Sequence, residues 1–190
     1  MTPREKRYRE ELSAERRNQN EQEDEDLLQF FPTPVKAVKA LLSRVPFDGL
    51  ILEPACGKGS ISSVLKAPPY NYEVQSSDLG NHDYGEKEID FFTLKEPVPN
   101  IITNPPYGEI PRWIRHCLRL ITKKVALLLP LDNLAGVTRY SIYKTSPPKL
   151  VLVFVRHLSF KETGETLKRE CAWFVWEKGY KGKPQVEWIE

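Results

Sequence analysis

The chain has 190 residues, of which 40% are hydrophobic, and its three cysteines stand far apart in the sequence. This composition is typical of a globular protein of one-domain size, and the cysteines show neither CxxC pairing nor a nearby His spacing suited to zinc. No apolar run reaches the length of a membrane span, and the charged N-terminus lacks the apolar core of a signal peptide. The sequence therefore predicts a cytoplasmic protein that binds neither a metal nor a membrane.

Charge is distributed unevenly along the chain. Residues 1–29 carry six Lys/Arg and nine Asp/Glu, a net charge of −3. Because the whole chain has a net charge of +2, residues 30–190 carry a net charge of +5. Because the first segment has few apolar residues to bury, it is predicted to be a disordered tail. Residues 30–190 are predicted to form a single domain, whose basic excess suits a polyanionic partner.

Apolar runs alternate with helical patterns from residue 30 onwards. One helix is predicted to begin at Thr33–Pro34, with Thr33 as the N-cap. A second helix is predicted to begin at Ile61, and a third is predicted over 111–122. Buried strands are predicted over 49–54, 72–78, 100–103 and 125–129. Two further strands, 150–155 and 171–176, have no long helix between them and are predicted to pair as an antiparallel hairpin. This order predicts a mostly parallel α/β sheet.

The first of two unusual loops lies at a predicted strand end, where ligands of such sheets bind. It runs from Glu53 to Ser60 with the sequence Glu-Pro-Ala-Cys-Gly-Lys-Gly-Ser. Its glycines permit a tight turn and a close approach of a ligand to the backbone, although an ordinary strand-to-helix turn would use them too. A phosphate-binding P-loop is excluded, because the Gly-Lys-Ser/Thr ending is missing and Glu53 would repel phosphate.

The second loop is Asn104-Pro105-Pro106-Tyr107, directly after the strand predicted over 100–103. The two prolines stiffen the backbone, so they hold a polar amide and an aromatic ring at fixed positions. Packing alone does not readily explain this sequence after a buried strand. The loop is therefore predicted to bind or transform a ligand.

Three segments, in this order, resemble the amino-methyltransferases of DNA, specifically the N6-adenine group. They are Phe30–Pro34, Leu52–Gly59 and Asn104–Tyr107, and the resemblance extends from residue 30 to about residue 178. It implies a Rossmann-like class I methyltransferase fold, with a mostly parallel seven-stranded sheet, a C-terminal antiparallel hairpin and helices on both faces. It also implies S-adenosylmethionine as the cofactor and the N6 amine of adenine in DNA as the methyl acceptor.

The resemblance assigns the cofactor site to ten residues. In this assignment Asp78 binds the two ribose hydroxyls, with Asp83 as a less favoured substitute, while Asp90 and Phe91 hold the cofactor adenine. Phe91 is equally well explained as a core residue. The full set is Phe31, Thr33, Glu53, Ala55, Cys56, Gly57, Gly59, Asp78, Asp90 and Phe91.

The same resemblance places catalysis in Asn104, Pro105, Pro106 and Tyr107. The exocyclic amine of adenine is a weak nucleophile, because its lone pair is delocalised into the ring. The side-chain oxygen of Asn104 and the carbonyl of Pro105 would accept its hydrogens and stabilise the developing positive charge. A base within a duplex must be flipped out or be single-stranded. Tyr107 and Phe160 are the candidates for stacking on it.

The expected partner is a nucleic acid, with DNA favoured over RNA. Members of this subclass usually carry a separate target-recognition domain, and this chain is expected to be a minimal member without one, since little sequence follows the strand over 171–176. Adenine in RNA, the side-chain amide of protein glutamine and an inactive nucleic-acid-binding module are the alternatives. Candidate nucleic-acid contacts are Arg112, Arg139, Lys161, Lys168 and Arg169.

Overall fold

The computed structural model describes residues 32–158 and 170–190, so the predicted tail lies outside the described residues. These residues form seven strands: β1 (Ile51–Glu53), β2 (Val74–Ser76), β3 (Val98–Thr103), β4 (Ile121–Pro130), β5 (Leu150–Phe154), β6 (Cys171–Glu177) and β7 (Gln185–Ile189). The same residues form four α-helices: α1 (Val35–Leu42), α2 (Ser60–Lys66), α3 (Ile110–Leu120) and α4 (Val137–Tyr143). Three short 3₁₀ turns cover Phe91–Thr93, Tyr107–Glu109 and Leu131–Leu134.

The strands join into one sheet in the order β2-β1-β3-β4-β6-β5-β7. Among the described strands β6 alone runs in the reverse direction, since it pairs antiparallel with both β4 and β5, while the other pairs are parallel. The predicted antiparallel pairing of the two late apolar strands is therefore confirmed. Because β1 to β4 are parallel, their carboxyl ends meet along one edge of the sheet.

The core lies on both faces of this sheet, as the predicted fold class requires. Helices α1 and α2 cover one face and pack with Ile51, Ile102 and Leu128, whereas α3 and α4 cover the other and pack with residues such as Leu52 and Leu127. Successive strand residues point to opposite faces. Strands buried on both faces must be apolar throughout, which explains the unbroken run Val125–Leu129 in β4.

Several predicted boundaries are wrong by one or two residues. Helix α1 begins at Val35 with Pro34 at its N-cap, and the structure shows no cap bond from a side chain there, so Thr33 does not cap it. Helix α3 ends at Leu120 because β4 begins at once with Ile121, which pairs with Val98 of β3. The side chain of Ile121 therefore belongs to a strand rather than to the predicted helix.

Two described elements have no counterpart in the sequence prediction, which expected little after residue 176. Strand β7 pairs parallel with β5 at the edge of the sheet, and α4 follows the 3₁₀ turn Leu131–Leu134. Both are short and expose apolar side chains, among them Trp188 and Val137, so neither shows the burial pattern from which an element is predicted. Within the described ranges, no helix combines the length and the hydrophobicity that crossing a membrane requires.

Candidate functional site

A cleft of about 610 Å³ opens at the carboxyl edge of the sheet. The two loops that stand out in the sequence meet there, because β1 and β3 are parallel neighbours and end at the same edge. The predicted site residues that line the cleft are Thr33, Glu53, Ala55, Cys56, Gly57, Asp78, Asp90, Phe91, Asn104, Pro105, Pro106 and Arg112. The sequence-predicted cofactor and catalytic loops thus share one cavity.

The two glycines of the first loop have different local roles. Gly57 has φ +49°, and a Cβ there would meet no atom within 4 Å, so its backbone lies open at the cleft. Gly59 has φ +79° at the start of α2, and a Cβ there would lie 2.6 Å from the ring of Tyr84. Both positive φ values favour glycine. Gly59 shapes the turn into the helix and does not line the cleft, unlike the other described residues assigned to the cofactor.

Cys56, in the same loop, is buried and is not a reactive thiol. Its sulfur lies 3.5 Å from the carbonyl oxygen of Tyr84. Burial, together with the nearby carboxylates of Glu53 and Asp78, raises the pKa of the Cys56 thiol to about 12. A thiol with so high a pKa stays protonated at neutral pH, so Cys56 contributes shape to the cleft wall rather than nucleophilic chemistry.

The carboxylate of Asp78, just after β2, connects two loops of the cleft. One oxygen accepts the amide N–H of Gly57 and the other accepts that of Gly80, each at 2.7 Å. A carboxylate oxygen accepts more than one hydrogen bond, so both retain capacity for ligand hydroxyls. Asp83, the substitute for this role, is fully exposed, pairs with Lys87 at 3.3 Å and lies outside the cleft. The geometry therefore favours Asp78.

Glu53 ends β1 with a buried carboxyl group that faces α2. Its Oε2 accepts the amide N–H of Ser62 at 2.8 Å and also the Ser62 hydroxyl, which lies 2.6 Å from the hydroxyl of Ser76. Burial raises the pKa of Glu53 to about 8, although the bonds from Ser62 oppose this rise. Glu53 consequently keeps its proton to a higher pH than an exposed glutamate does, and a cation in the cleft would favour its ionised form.

The Glu53→Gln variant is expected to remove a pH dependence of stability. Because the pKa of Glu53 is raised in the folded state, the free energy of unfolding is expected to fall as pH rises from about 4.5 to about 8 and to level off above that. Glutamine keeps an acceptor for Ser62 but does not ionise, so the variant should gain stability over the wild type at pH 8.5. Urea unfolding at pH 5, 6.5 and 8.5 measures this, with exposed Glu73→Gln as the control. Parallel pH profiles for all three proteins would contradict it.

The 3₁₀ turn Phe91–Thr93 forms one wall of the cleft. Asp90 caps this turn, since its Oδ1 accepts the amide N–H of Phe92 at 2.8 Å. Phe91 is buried and stacks on Trp113, with ring centroids 4.6 Å apart, yet it also reaches the cleft. The two interpretations of Phe91, as core and as site, thus both describe its position. Phe92 lines the cleft as well, with the guanidinium carbon of Arg112 3.7 Å from its ring centre.

Several lining residues were not identified from the sequence. Leu79 is exposed although it is apolar, and it directly follows Asp78, so an exposed leucine beside an acid at a strand end was an available signal. Trp113 comes from α3 and gave no such signal, because tertiary packing alone brings it to the cleft. The other lining residues without a predicted role include Lys58, Ser60, Gly80, His82, Ile89, Gly108 and Glu109.

The loop Asn104–Tyr107, which is predicted to be catalytic, begins where β3 ends. Asn104 lines the cleft, and its Oδ1 accepts the hydroxyl of Tyr107 at 3.1 Å. Pro105 is buried, and Pro106 has φ −59° and ψ 137° before the turn Tyr107–Glu109. Tyr107 itself packs partly buried against the core on the α3 side and does not line the cleft. The hydroxyl of Tyr107 therefore holds the side chain of Asn104 in place, and the stacking role of its ring stays a prediction.

The predicted nucleic-acid contacts are only partly described. Arg112 is exposed at the cleft and pairs with Glu109 at 2.9 Å, whereas Arg139 lies on α4 and donates to the carbonyl of Ala135 at 2.5 Å. Phe31, Phe160, Lys161, Lys168 and Arg169 lie outside the described residues. In residues 32–158 and 170–190, no three His, Cys, Asp or Glu side chains group closely enough to hold a metal ion.

Comparisons with known proteins rest on structure. No protein-family model and no curated protein matches the sequence. A predicted O-methyltransferase of Agrobacterium tumefaciens superposes with a TM-score of 0.56 and 18% identity, over 80% of this chain and 85% of that one. A dimethyladenosine transferase of Plasmodium falciparum gives 0.54 and 14%, over 77% and 62%. The M protein of the type I restriction enzyme EcoKI gives 0.50 and 14%, over 82% and 43%.

These structures confirm the predicted fold: a class I methyltransferase fold with a Rossmann-like sheet. The chain spans less than two thirds of the Plasmodium and EcoKI chains that it matches. Because the sequence identities are only 14–18%, the structural similarity shows the fold alone. The chemistry of this chain is therefore argued from its own cleft.

Proposed function

We propose that the protein is an S-adenosylmethionine-dependent methyltransferase that methylates the exocyclic N6 amine of adenine in DNA. The observation that carries the proposal is the meeting of the Asn104–Pro106 loop with Glu53, Gly57 and Asp78 around one cleft. A methyl donor and an amine acceptor must be adjacent to react. A cofactor loop and an amine-binding loop in one cavity satisfy that requirement.

The cleft fits the proposed cofactor in size and in chemistry. Its volume of about 610 Å³ lies within the range of small-molecule sites. The carboxylate of Asp78 suits paired ribose hydroxyls, while the apolar side chains of Leu79, Ile89 and Phe92 suit an aromatic base. When bound, S-adenosylmethionine supplies an activated methyl group on a sulfonium. Glu53 and Asp78, which line the cleft, would give its wall carboxyl groups that suit a cationic ligand.

The catalytic loop suits an amine that is a weak nucleophile. Asn104 Oδ1 and the carbonyl oxygen of Pro105 would accept the two hydrogens of the amine and stabilise positive charge as it develops on nitrogen. The Tyr107 hydroxyl occupies one acceptor position of Asn104 Oδ1, which holds the amide in a fixed orientation and leaves a second position for the substrate. The chain thus supplies alignment and hydrogen-bond acceptors.

Adenine in RNA is the second candidate substrate. The Plasmodium structure supports it, because that enzyme is named a dimethyladenosine transferase and adenosine is the ribonucleoside of adenine. The EcoKI structure supports the DNA substrate, because that protein is the M protein of a restriction enzyme. The two names are thus consistent with enzymes of this fold that act on adenine or on DNA. The proposed role of Asn104, as an acceptor for the hydrogens of the amine, is the same for adenine in DNA and in RNA.

A parallel-substrate assay tests the proposal. The protein is incubated with S-adenosylmethionine labelled in its methyl group, and duplex DNA, single-stranded DNA, RNA and protein extract are offered side by side. N6-methyladenine in digested DNA, identified by mass spectrometry, is the expected result. Label in RNA adenine would support the second candidate, while label in protein glutamine or in no acceptor would contradict both. The Asn104→Ala protein, purified identically, controls for contaminating activity.

A further inference from the structure

An exposed apolar surface lies outside the cleft and has no role in the proposed chemistry. It comprises Leu134, Val137 and Tyr140 and is called the rim patch here; its exposed fractions are 45%, 88% and 66%. The backbone beneath it is held firmly, since the side chain of Asn133 donates to the carbonyl of Pro130 at 3.0 Å and the Tyr143 hydroxyl donates to the carbonyl of Asn133 at 2.9 Å. The fold thus presents three apolar side chains to solvent on an anchored segment.

The rim patch lies at the same edge of the sheet as the cleft. Helices α3 and α4 both begin at the carboxyl edge of the sheet and run in the same direction, and Arg115 of α3 contacts Ser141 of α4 at 3.5 Å. Val137 is four residues before Ser141, about 6 Å nearer that edge, and Arg112 is three residues before Arg115, about 4.5 Å nearer. Because Arg112 lines the cleft, Val137 stands roughly level with the cleft wall.

The surroundings of the rim patch are strongly basic. Helices α3 and α4 carry four arginines, Arg112, Arg115, Arg119 and Arg139, and no acidic residue, while Glu109 just before α3 pairs with Arg112. Three of the basic residues, Arg112, Arg115 and Arg119, are exposed along one side of α3, where a spacing of three and four residues places them in a row. Arginines beside an aromatic and two aliphatic side chains suit a ligand with both phosphates and flat apolar rings, which is a nucleic-acid strand.

We propose that the rim patch binds the bases that flank the target adenine, while the arginine row on α3 holds the phosphates of the same strand. This inference rests on the proposed function and adds to it the surface that holds the substrate. A base that leaves its stack deprives its neighbours of stacking contacts, and apolar side chains at the site restore them. Tyr140 provides a ring for one neighbouring base, and Val137 and Leu134 provide apolar contacts.

The test compares two pairs of exposed side chains. The Val137→Ser, Tyr140→Ser double variant removes the two most exposed side chains of the rim patch without touching the core. The control is the Val186→Ser, Trp188→Ser double variant on β7, where Trp188 is 66% exposed like Tyr140 but lies three strands from β4. Affinity is measured by fluorescence anisotropy with a fluorescein-labelled, adenine-containing single-stranded 20-mer and with its duplex, both in the presence of S-adenosylhomocysteine.

The rim variant is expected to bind the strand about tenfold more weakly than the wild type, while the β7 variant binds as the wild type does. Affinity for S-adenosylhomocysteine alone should be unchanged in both. Equal strand affinity in the rim variant and the wild type, or an equal loss in the β7 variant, would overturn the proposal.

The measurement separates this inference from the proposed function, because strand affinity is read without turnover. If the wild type methylates DNA and the rim variant binds normally, the rim surface is wrong and the function stands. If the wild type methylates no nucleic acid and the rim variant binds the strand weakly, the function is wrong and the surface stands. Photocrosslinking gives an independent reading: a 5-iodouracil beside the adenine should label the peptide that contains Tyr140, and labelling elsewhere alone would overturn the proposal.

Discussion

The Asn104→Ala variant is expected to lower kcat by at least roughly a hundredfold while leaving the affinity for S-adenosylhomocysteine within about twofold of the wild type. The loss is large because the variant removes an acceptor that stabilises charge developing on the attacking nitrogen. Cofactor affinity is spared because the acceptors assigned to the ribose belong to Asp78, after a different strand. Steady-state kinetics on the DNA substrate and calorimetry with S-adenosylhomocysteine measure the two quantities separately.

Tyr107→Phe is the matched control for that variant. It removes only the hydroxyl that bonds to Asn104 Oδ1, so it tests orientation of the amide rather than the acceptor itself. We expect a loss in kcat well below that of Asn104→Ala, with an unchanged melting temperature because the ring keeps its packing. If Asn104→Ala weakens cofactor binding strongly while turnover persists, the assignment of Asn104 to the methyl acceptor fails.

The loops that form the cleft could be predicted because each combines a local signal with a topological rule. Glu53–Ser60 and Asn104–Tyr107 have unusual compositions, and the rule that parallel strands end at one edge brings them together. The same argument applies to Asp78, which follows β2, the neighbour of β1, and lines the cleft. Periodicity, loop composition and strand order therefore predicted most of the cleft without any knowledge of side-chain contacts.

What the sequence did not predict depends on packing between distant segments. Trp113 reaches the cleft because α3 rests against the turn that carries Phe91, and the hydroxyl of Tyr107 turns towards Asn104 instead of the cavity. Gly59 resembles a ligand-facing glycine in sequence, yet the ring of Tyr84 occupies the space beside it. Contacts of this kind join residues through the fold, so neither spacing nor residue type reveals them.

Asp78→Ala is expected to weaken binding of S-adenosylhomocysteine by about 1–3 kcal/mol, which corresponds to roughly five- to 150-fold in Kd. The variant removes the acceptor for the ribose hydroxyls and also leaves the amides of Gly57 and Gly80 without their bonds to the carboxylate. A lower melting temperature of the ligand-free protein should accompany the loss, because those bonds connect two loops of the cleft.

Asp78→Asn should be almost as damaging as Asp78→Ala, although asparagine has nearly the same shape. The carboxylate accepts one backbone N–H on each oxygen, and an amide has one oxygen and one NH₂ group, so a donor would face either Gly57 or Gly80. Asp83→Ala is the control, because that carboxylate is exposed and lies outside the cleft. Calorimetry on the three variants decides the assignment. Wild-type affinity in Asp78→Asn together with weakened binding in Asp83→Ala would transfer the ribose contact to Asp83.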